Sequence, residues 1–253
     1  MQLHHNPESG LLMKLQSLHD ISMMYAVMPY EEPITFMSGV NLLQGSLYIP
    51  DASVDNLVPG VIICHPHPRG GGSMDNNVVF ACCSGLRSAT IAYLRFNFQG
   101  VGQSQGVAGD PDRHVTDILA ASEYLKSVEG IDPSSIGVAG YSFGGSTTIK
   151  ALLKGLDPTA VALIACGFPE LTPQDKDSLD LPKLVILGES DSFIDSEAVS
   201  AMTGSLGGNS EIHVIPGADH FFMRSEPAIS AMIGEFFKNE LGNDTLPQGQ
   251  PNA

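Results

Sequence analysis

Basic residues are scarce in this 253-residue sequence. Its 12 lysines and arginines stand against 28 aspartates and glutamates, which gives a formal net charge of −16. A protein that holds a nucleic acid or an anionic membrane surface needs clustered positive charge to neutralise the phosphates. We therefore expect no nucleic-acid partner and no membrane partner.

Cysteine is also rare, and long apolar runs are missing. The four cysteines, Cys64, Cys82, Cys83 and Cys166, stand in apolar stretches without the spacing of a disulfide framework or a zinc site. Buried thiols in a reducing compartment fit this pattern. No apolar run approaches the ~20 residues that cross a bilayer. Residues 1–30 contain one lysine and no arginine, unlike a signal or transit peptide, so we expect a cytoplasmic protein.

The length and the hydrophobic content predict one folded domain with two extensions. A chain of 253 residues with 43% hydrophobic residues can build one sizeable core. Residues 1–29 lack helix caps and are predicted to form a loosely ordered N-terminal extension. Residues 242–253 are polar and rich in Gly, Pro and Asn, which predicts a flexible tail. The domain is expected over residues 30–241.

Within that domain, short apolar runs alternate with helix-length segments. Strands are predicted near 34–37, 42–49, 59–65, 91–96, 135–141, 159–166, 183–188 and 210–215. Helices are predicted near 77–89, 112–128, 143–154, 195–206 and 221–240. Runs 61–64 and 184–187 are continuously apolar, as in strands buried on both faces of a parallel sheet. The first two runs predict an antiparallel edge hairpin. The fold class is therefore α/β, with a mixed, mostly parallel, doubly wound sheet of eight strands.

The strongest motif is the G-x-S-x-G of residues 140–144, which lies between a predicted strand and a predicted helix. Glycines suit such a turn because a Cβ at either site would collide with neighbouring backbone. The resulting strain lifts the Ser142 hydroxyl clear of the sheet. The alternative interpretation is an ordinary turn in which Ser142 caps the following helix.

A serine hydroxyl needs a general base and an orienting acid to act as a nucleophile at neutral pH. His220 follows the predicted eighth strand, and Asp191 follows the seventh. Open α/β sheets bind ligands at these carboxyl ends of strands. The chain order Ser142, Asp191, His220 is a known order for such triads. Other candidates for the acid are Glu189, Asp195 and Asp219, of which Asp195 is predicted at a helix N-terminus.

These residues resemble the α/β-hydrolase superfamily over roughly residues 34–240. Within it, the segments 64–72 and 95–104 are similar to the small cap-less enzymes related to dienelactone hydrolase. The resemblance implies the fold and the triad, with the acid at the end of a Gly-x-x-Asp turn, Asp191. Dienelactone hydrolase itself uses a cysteine nucleophile, whereas this turn carries Ser142. A general ester or thioester hydrolase is therefore implied.

The segment after the predicted third strand is interpreted as half of an oxyanion hole. The N–H of Phe143, directly after the serine, is the other expected donor. Two prolines in the segment have no N–H to donate. His67 is therefore the expected second donor, with Arg69 and Gly70 as alternatives.

The sequence predicts no cofactor and no metal. His65 and His67 could share one face of a strand, but no third ligand set is apparent, and catalytic zinc takes three protein ligands. Residues 100–106 superficially resemble a dinucleotide fingerprint, but the third glycine comes one residue late. His114 is expected to face solvent on its helix.

The predicted function is hydrolysis of a carboxylic ester, thioester or lactone of a small-molecule acyl substrate through an acyl-enzyme on Ser142. Alternatives are a ligand-binding receptor or interaction scaffold on this fold, or an acyltransferase. Only about fifteen residues, 168–183, connect the sixth and seventh predicted strands, which is too short for a lid domain. An open site is expected, unless residues 1–29 fold over it. The oligomeric state is not predicted.

Overall fold

The computed structural model describes residues 31–51, 57–108 and 111–242. The predicted extension over 1–29, including its suggested role as a cover, lies outside these residues. The same holds for the predicted tail beyond Gly242. No helix in the described ranges is both long and apolar enough to span a bilayer.

Eight strands form a single sheet. They are β1 Glu32–Ser38, β2 Asn41–Tyr48, β3 Val58–Cys64, β4 Ala92–Phe96, β5 Ile131–Tyr141, β6 Ala160–Ile164, β7 Lys183–Gly188 and β8 Ser210–Ile215. Their order is β1-β2-β4-β3-β5-β6-β7-β8. The pairs β1–β2 and β2–β4 are antiparallel, and the other pairs are parallel. The predicted mixed, mostly parallel sheet and its antiparallel edge hairpin are confirmed.

Helices pack on both faces of the sheet. They are α1 Asn77–Ser88, α2 Pro111–Lys126, α3 Phe143–Leu152, α4 Pro173–Asp177, α5 Ser196–Thr203 and α6 Glu226–Leu241, with a 3₁₀ turn at Pro68–Gly70. One core cluster holds buried side chains of α2, α3 and α5, and the other holds those of α1 and α6. The doubly wound arrangement is therefore confirmed. The four cysteines are buried as predicted.

Two helices differ from the sequence prediction. The predicted helix over 221–240 begins only at Glu226, because Phe222 and Arg224 have φ angles of 53° and 73°, which an α-helix cannot contain. The short helix α4 was not predicted. Thr172 and Asp175 form a capping box at its start, and this exchange of hydrogen bonds supports a helix of only five residues. Helix α4 is the only regular element between β6 and β7 in the described chain, so no lid domain is present.

The strand order places the predicted site residues at the carboxyl ends of the parallel strands. From β3 the chain crosses to β4 on one side, and from β4 it crosses back to β5 on the other side of β3. The carboxyl ends of β3 and β5 therefore flank a topological switch point, where α/β sheets bind ligands. The loops after β3, β5, β7 and β8 all lie at this carboxyl end of the sheet because these strands are parallel.

Candidate active site

Ser142 lies on a strained turn between β5 and α3. Its φ of 54° falls in the left-handed region, which is costly for a residue with a Cβ. A Cβ at Gly144 would lie 2.3 Å from the carbonyl oxygen of Cys64, and one at Gly140 would lie 2.7 Å from the oxygen of Gly144. The turn therefore packs directly against backbone. The Ser142 side chain makes no capping hydrogen bond to α3, so the helix-cap interpretation is wrong.

The structure brings Ser142, His220 and Asp191 into one hydrogen-bonded row. Ser142 Oγ lies 2.9 Å from His220 Nε2, and His220 Nδ1 lies 2.7 Å from Asp191 Oδ2. The Asp191 side chain is 1% exposed and that of His220 is 13% exposed. In this arrangement the imidazole can take a proton from the serine while the carboxylate holds the opposite ring nitrogen.

The other candidate acids are engaged elsewhere. Asp195 is the N-cap of α5 and accepts two backbone N–H groups there. Glu189 Oε2 accepts the Gly217 N–H at 2.8 Å. Asp219 accepts two N–H groups of its own loop. Among the described residues, none of these three carboxylates hydrogen-bonds to the imidazole, in contrast to Asp191.

Asp191 also organises the loop that follows β7. Its Oδ1 accepts the N–H groups of Phe193 and Ile194 at 2.8 and 3.0 Å. Its other oxygen, Oδ2, contacts His220. A carboxylate held at both oxygens keeps one rotamer, and so the position of the imidazole is fixed relative to this loop.

Sequence reasoning missed three aromatic residues around His220. The Tyr141 hydroxyl donates to the backbone carbonyl of His220 at 2.7 Å. Burial raises the pKa of Tyr141, which keeps this hydroxyl protonated as a donor. The rings of Phe193 and Phe221 lie 4.9 and 5.7 Å from the imidazole, between ring centroids. Tyr141 occupies a variable position of the G-x-S-x-G motif, so the motif carried no signal for it.

The loop after β3 lies against the start of α3. The rings of His67 and Phe143 are 4.8 Å apart. The Phe143 N–H opens α3 and so has no intrahelical acceptor. In the loop itself, the Arg69 N–H donates to His67 Nδ1, and the Gly70 N–H donates to the His67 carbonyl. The two alternative oxyanion donors are thus occupied within their own loop.

His65 and His67 face different surroundings. His65 is fully buried, and its burial lowers its pKa to about 4, so the ring is neutral at pH 7. The Phe98 N–H donates to its Nε2, which leaves Nδ1 as the donor to the Pro66 carbonyl. His67 is exposed. Among the described residues, no group of three or more His, Cys, Asp and Glu side chains is placed to hold a metal ion.

The expectation that His114 faces solvent is wrong. Its side chain is 1% exposed, lies 3.5 Å from the Asp117 carboxylate, and packs against the rings of Phe98 and Phe143. Positions three apart on a helix share one face, so His114 is buried along with Asp117. The Asp117 carboxylate accepts the backbone and side-chain N–H groups of Gln99. Aspartate is mostly exposed in proteins and histidine is only intermediate, so these residue types indicated exposure rather than burial.

The chain is similar to known proteins in both sequence and fold. Residues 103–235 match the model of the dienelactone hydrolase family. The crystal structure of an α/β serine hydrolase without a lid from Xanthomonas campestris is 27% identical, with a TM-score of 0.71 over 84% of this chain and 95% of that chain. An α/β serine hydrolase homologue from Coxiella burnetii is 27% identical, with a TM-score of 0.68 over 81% and 96%. An uncharacterized protein of Rickettsia prowazekii is 27% identical over 192 residues, or 70% of this chain and 78% of that protein.

Proposed function

The chain belongs to the dienelactone hydrolase family, and from that premise we propose that it is a serine hydrolase of carboxylic esters, thioesters or lactones. The observation that carries this proposal is the row of short contacts from Ser142 Oγ to His220 (2.9 Å) and from His220 to Asp191 (2.7 Å). The substrate is a small acyl compound, and the reaction needs no metal or cofactor.

The first half of the reaction acylates Ser142. His220 Nε2 removes the hydroxyl proton as Oγ attacks the carbonyl carbon, and the carbonyl π electrons move to the oxygen. Asp191 stabilises the imidazolium that forms. The electrons return when the bond to the leaving group breaks, and His220 gives its proton to the departing oxygen or sulfur. In the second half, His220 activates water, which releases the acid and regenerates Ser142.

The negative oxygen of the tetrahedral intermediate needs preorganised donors. We assign the N–H groups of Phe143 and His67 to this role. The first has no intrahelical acceptor, and the alternatives Arg69 and Gly70 already donate within their loop. Loss of one such donor typically costs about 10²–10³ in turnover.

The cysteines do not compete with Ser142 as nucleophiles in this proposal. Burial raises the pKa of Cys64 and Cys166 to about 12, so both stay protonated at neutral pH. Cys82 and Cys83 are buried in α1. Four buried free thiols also support a reducing, cytoplasmic location.

Turnover of p-nitrophenyl acetate by the purified chain tests the proposed function. We expect saturable release of p-nitrophenol over many turnovers, because the site contains both a nucleophile and a base. A receptor or scaffold would give no release above the buffer rate, and that result would contradict the proposal. An acyltransferase would give mainly transferred acyl product when an acceptor alcohol is added, whereas a hydrolase gives free acetate.

A further inference from the structure

One of the aromatic residues that pack against the imidazole, Phe193, also lines a cavity of about 290 Å³. The loop after β6, the loop after β7 and helix α5 form its walls. Its apolar lining residues are Phe168, Phe193, Ile194, Ala198, Val199 and Met202. Phe193 belongs to both the cavity and the site, since its ring centroid is 4.9 Å from that of His220. A group bound in the cavity would therefore contact the same phenylalanine ring that packs against the imidazole.

The triad carboxylate holds the cavity wall in place. Asp191 Oδ1 accepts the N–H groups of Phe193 and Ile194, both of which line the cavity. The second oxygen of the same carboxylate contacts His220. One carboxylate, whose side chain is 1% exposed, thus holds both the imidazole and two residues of the cavity wall.

The lining favours an uncharged group. In the part of the chain that the structure describes, the one charged side chain of the lining is Asp195, whose carboxylate accepts the backbone N–H groups of Glu197 and Ala198 at the start of α5. Among the described residues, no basic side chain lines the cavity. A carboxylate or phosphate on the substrate would lose its water there without gaining a partner. Apolar carbon gains free energy by leaving water for these walls.

The volume of the cavity limits the size of the substrate group that it can hold. A cavity of about 150 Å³ holds the six carbons of benzene, so one of this size, partly open to solvent, holds roughly six to ten. We propose that the cavity binds an uncharged apolar chain or ring of about six to ten carbons, attached to the scissile carbonyl or to its leaving oxygen. This assignment rests on the proposed hydrolase function and names its substrate class.

Two substrate series test the assignment and identify the side of the scissile bond. The first varies the acyl chain of p-nitrophenyl esters from two to sixteen carbons. The second varies the alcohol chain of acetate esters over the same range, followed by titration of released acid. We expect kcat/KM to rise at least about tenfold toward six to ten carbons and then fall, in one of the two series. The series that shows this optimum identifies the bound side, and two flat series would overturn the assignment.

Filling the cavity provides the matched test. Ala198 lines the cavity from an exposed position on α5, so Ala198→Phe adds a ring there without disturbing the core. We expect the ratio of kcat/KM for the eight-carbon substrate to that for the two-carbon substrate to fall roughly 10- to 100-fold. Ala201→Phe, at an exposed position of α5 outside the lining, should leave this ratio within about twofold of wild type.

A second variant covers the case in which Ala198→Phe fails to fold. Met202→Ala enlarges the same cavity and should move the optimum to longer chains by about two or three carbons. An unchanged optimum in Met202→Ala, or equal effects of Ala198→Phe and Ala201→Phe, would overturn the assignment.

If wild type hydrolyses no ester at all, the hydrolase proposal itself fails. If it hydrolyses acetate without any preference for chain length, only the assignment of the cavity fails.

Discussion

Ser142→Ala is expected to reduce hydrolysis of p-nitrophenyl acetate by roughly 10⁴-fold or more, because it removes the oxygen that forms the acyl-enzyme. The fold should persist, since the Ser142 side chain makes no capping bond to α3 and both residues carry the same Cβ on the strained turn. The measurement is kcat/KM together with the midpoint of urea unfolding. We expect the midpoint to change little.

Ser134→Ala is a suitable control for that variant. Ser134 lies on the same strand, β5, in an exposed position where it hydrogen-bonds to Asp132. The esterase activity of the Ser134→Ala variant should stay within about twofold of wild type, because surface substitutions away from a site usually have small effects. Retention of more than about a hundredth of the wild-type rate by a cleanly purified Ser142→Ala protein would end the assignment of Ser142 as nucleophile.

Asp191→Asn is expected to lower kcat by about 10⁴-fold, with the protein still folded. The amide oxygen can still accept the N–H groups of Phe193 and Ile194, so the loop after β7 should keep its position. The amide nitrogen then faces His220 Nδ1 and donates to it. That hydrogen bond favours the tautomer with the proton on Nε2, which cannot accept the proton of Ser142.

Asp195→Asn provides the matched comparison, because it makes the same chemical change four residues away. Asp195 caps α5, and asparagine is about as good an N-cap, so the loss should be limited to a favourable charge–dipole interaction of about 0.3–1 kcal/mol. We expect kcat to fall by less than about tenfold. If Asp195→Asn is the inactive variant and Asp191→Asn turns over normally, the triad acid has been assigned to the wrong residue.

The strands were predictable because their hydrophobic pattern is local. Buried central strands of a parallel sheet are apolar on both faces, and every residue of β7 is buried. The order of the strands was not predictable from this pattern. Each strand of such a sheet presents similar apolar faces, and the pairing of β3 with both β4 and β5 depends on contacts far apart in the chain.

The site was predictable where a local motif marks it. The glycines around Ser142 and the position of His220 after a strand are both visible in the chain. The choice between Asp191 and Asp195 as the acid was less clear from the sequence, because both follow β7. Only the folded loop directs Asp191 to the imidazole and Asp195 to the start of α5. Contacts such as that of Phe193 with His220 arise from tertiary packing and left no periodic signal.

Labelling with a fluorophosphonate probe, followed by mapping of the modified peptide by mass spectrometry, tests the central claim most directly. Such probes react with a serine that an adjacent base activates. We predict one adduct per chain, on Ser142, with no adduct in the Ser142→Ala variant or in protein unfolded before labelling. An adduct on a different residue, or ester turnover by a protein that the probe does not label, would contradict the account.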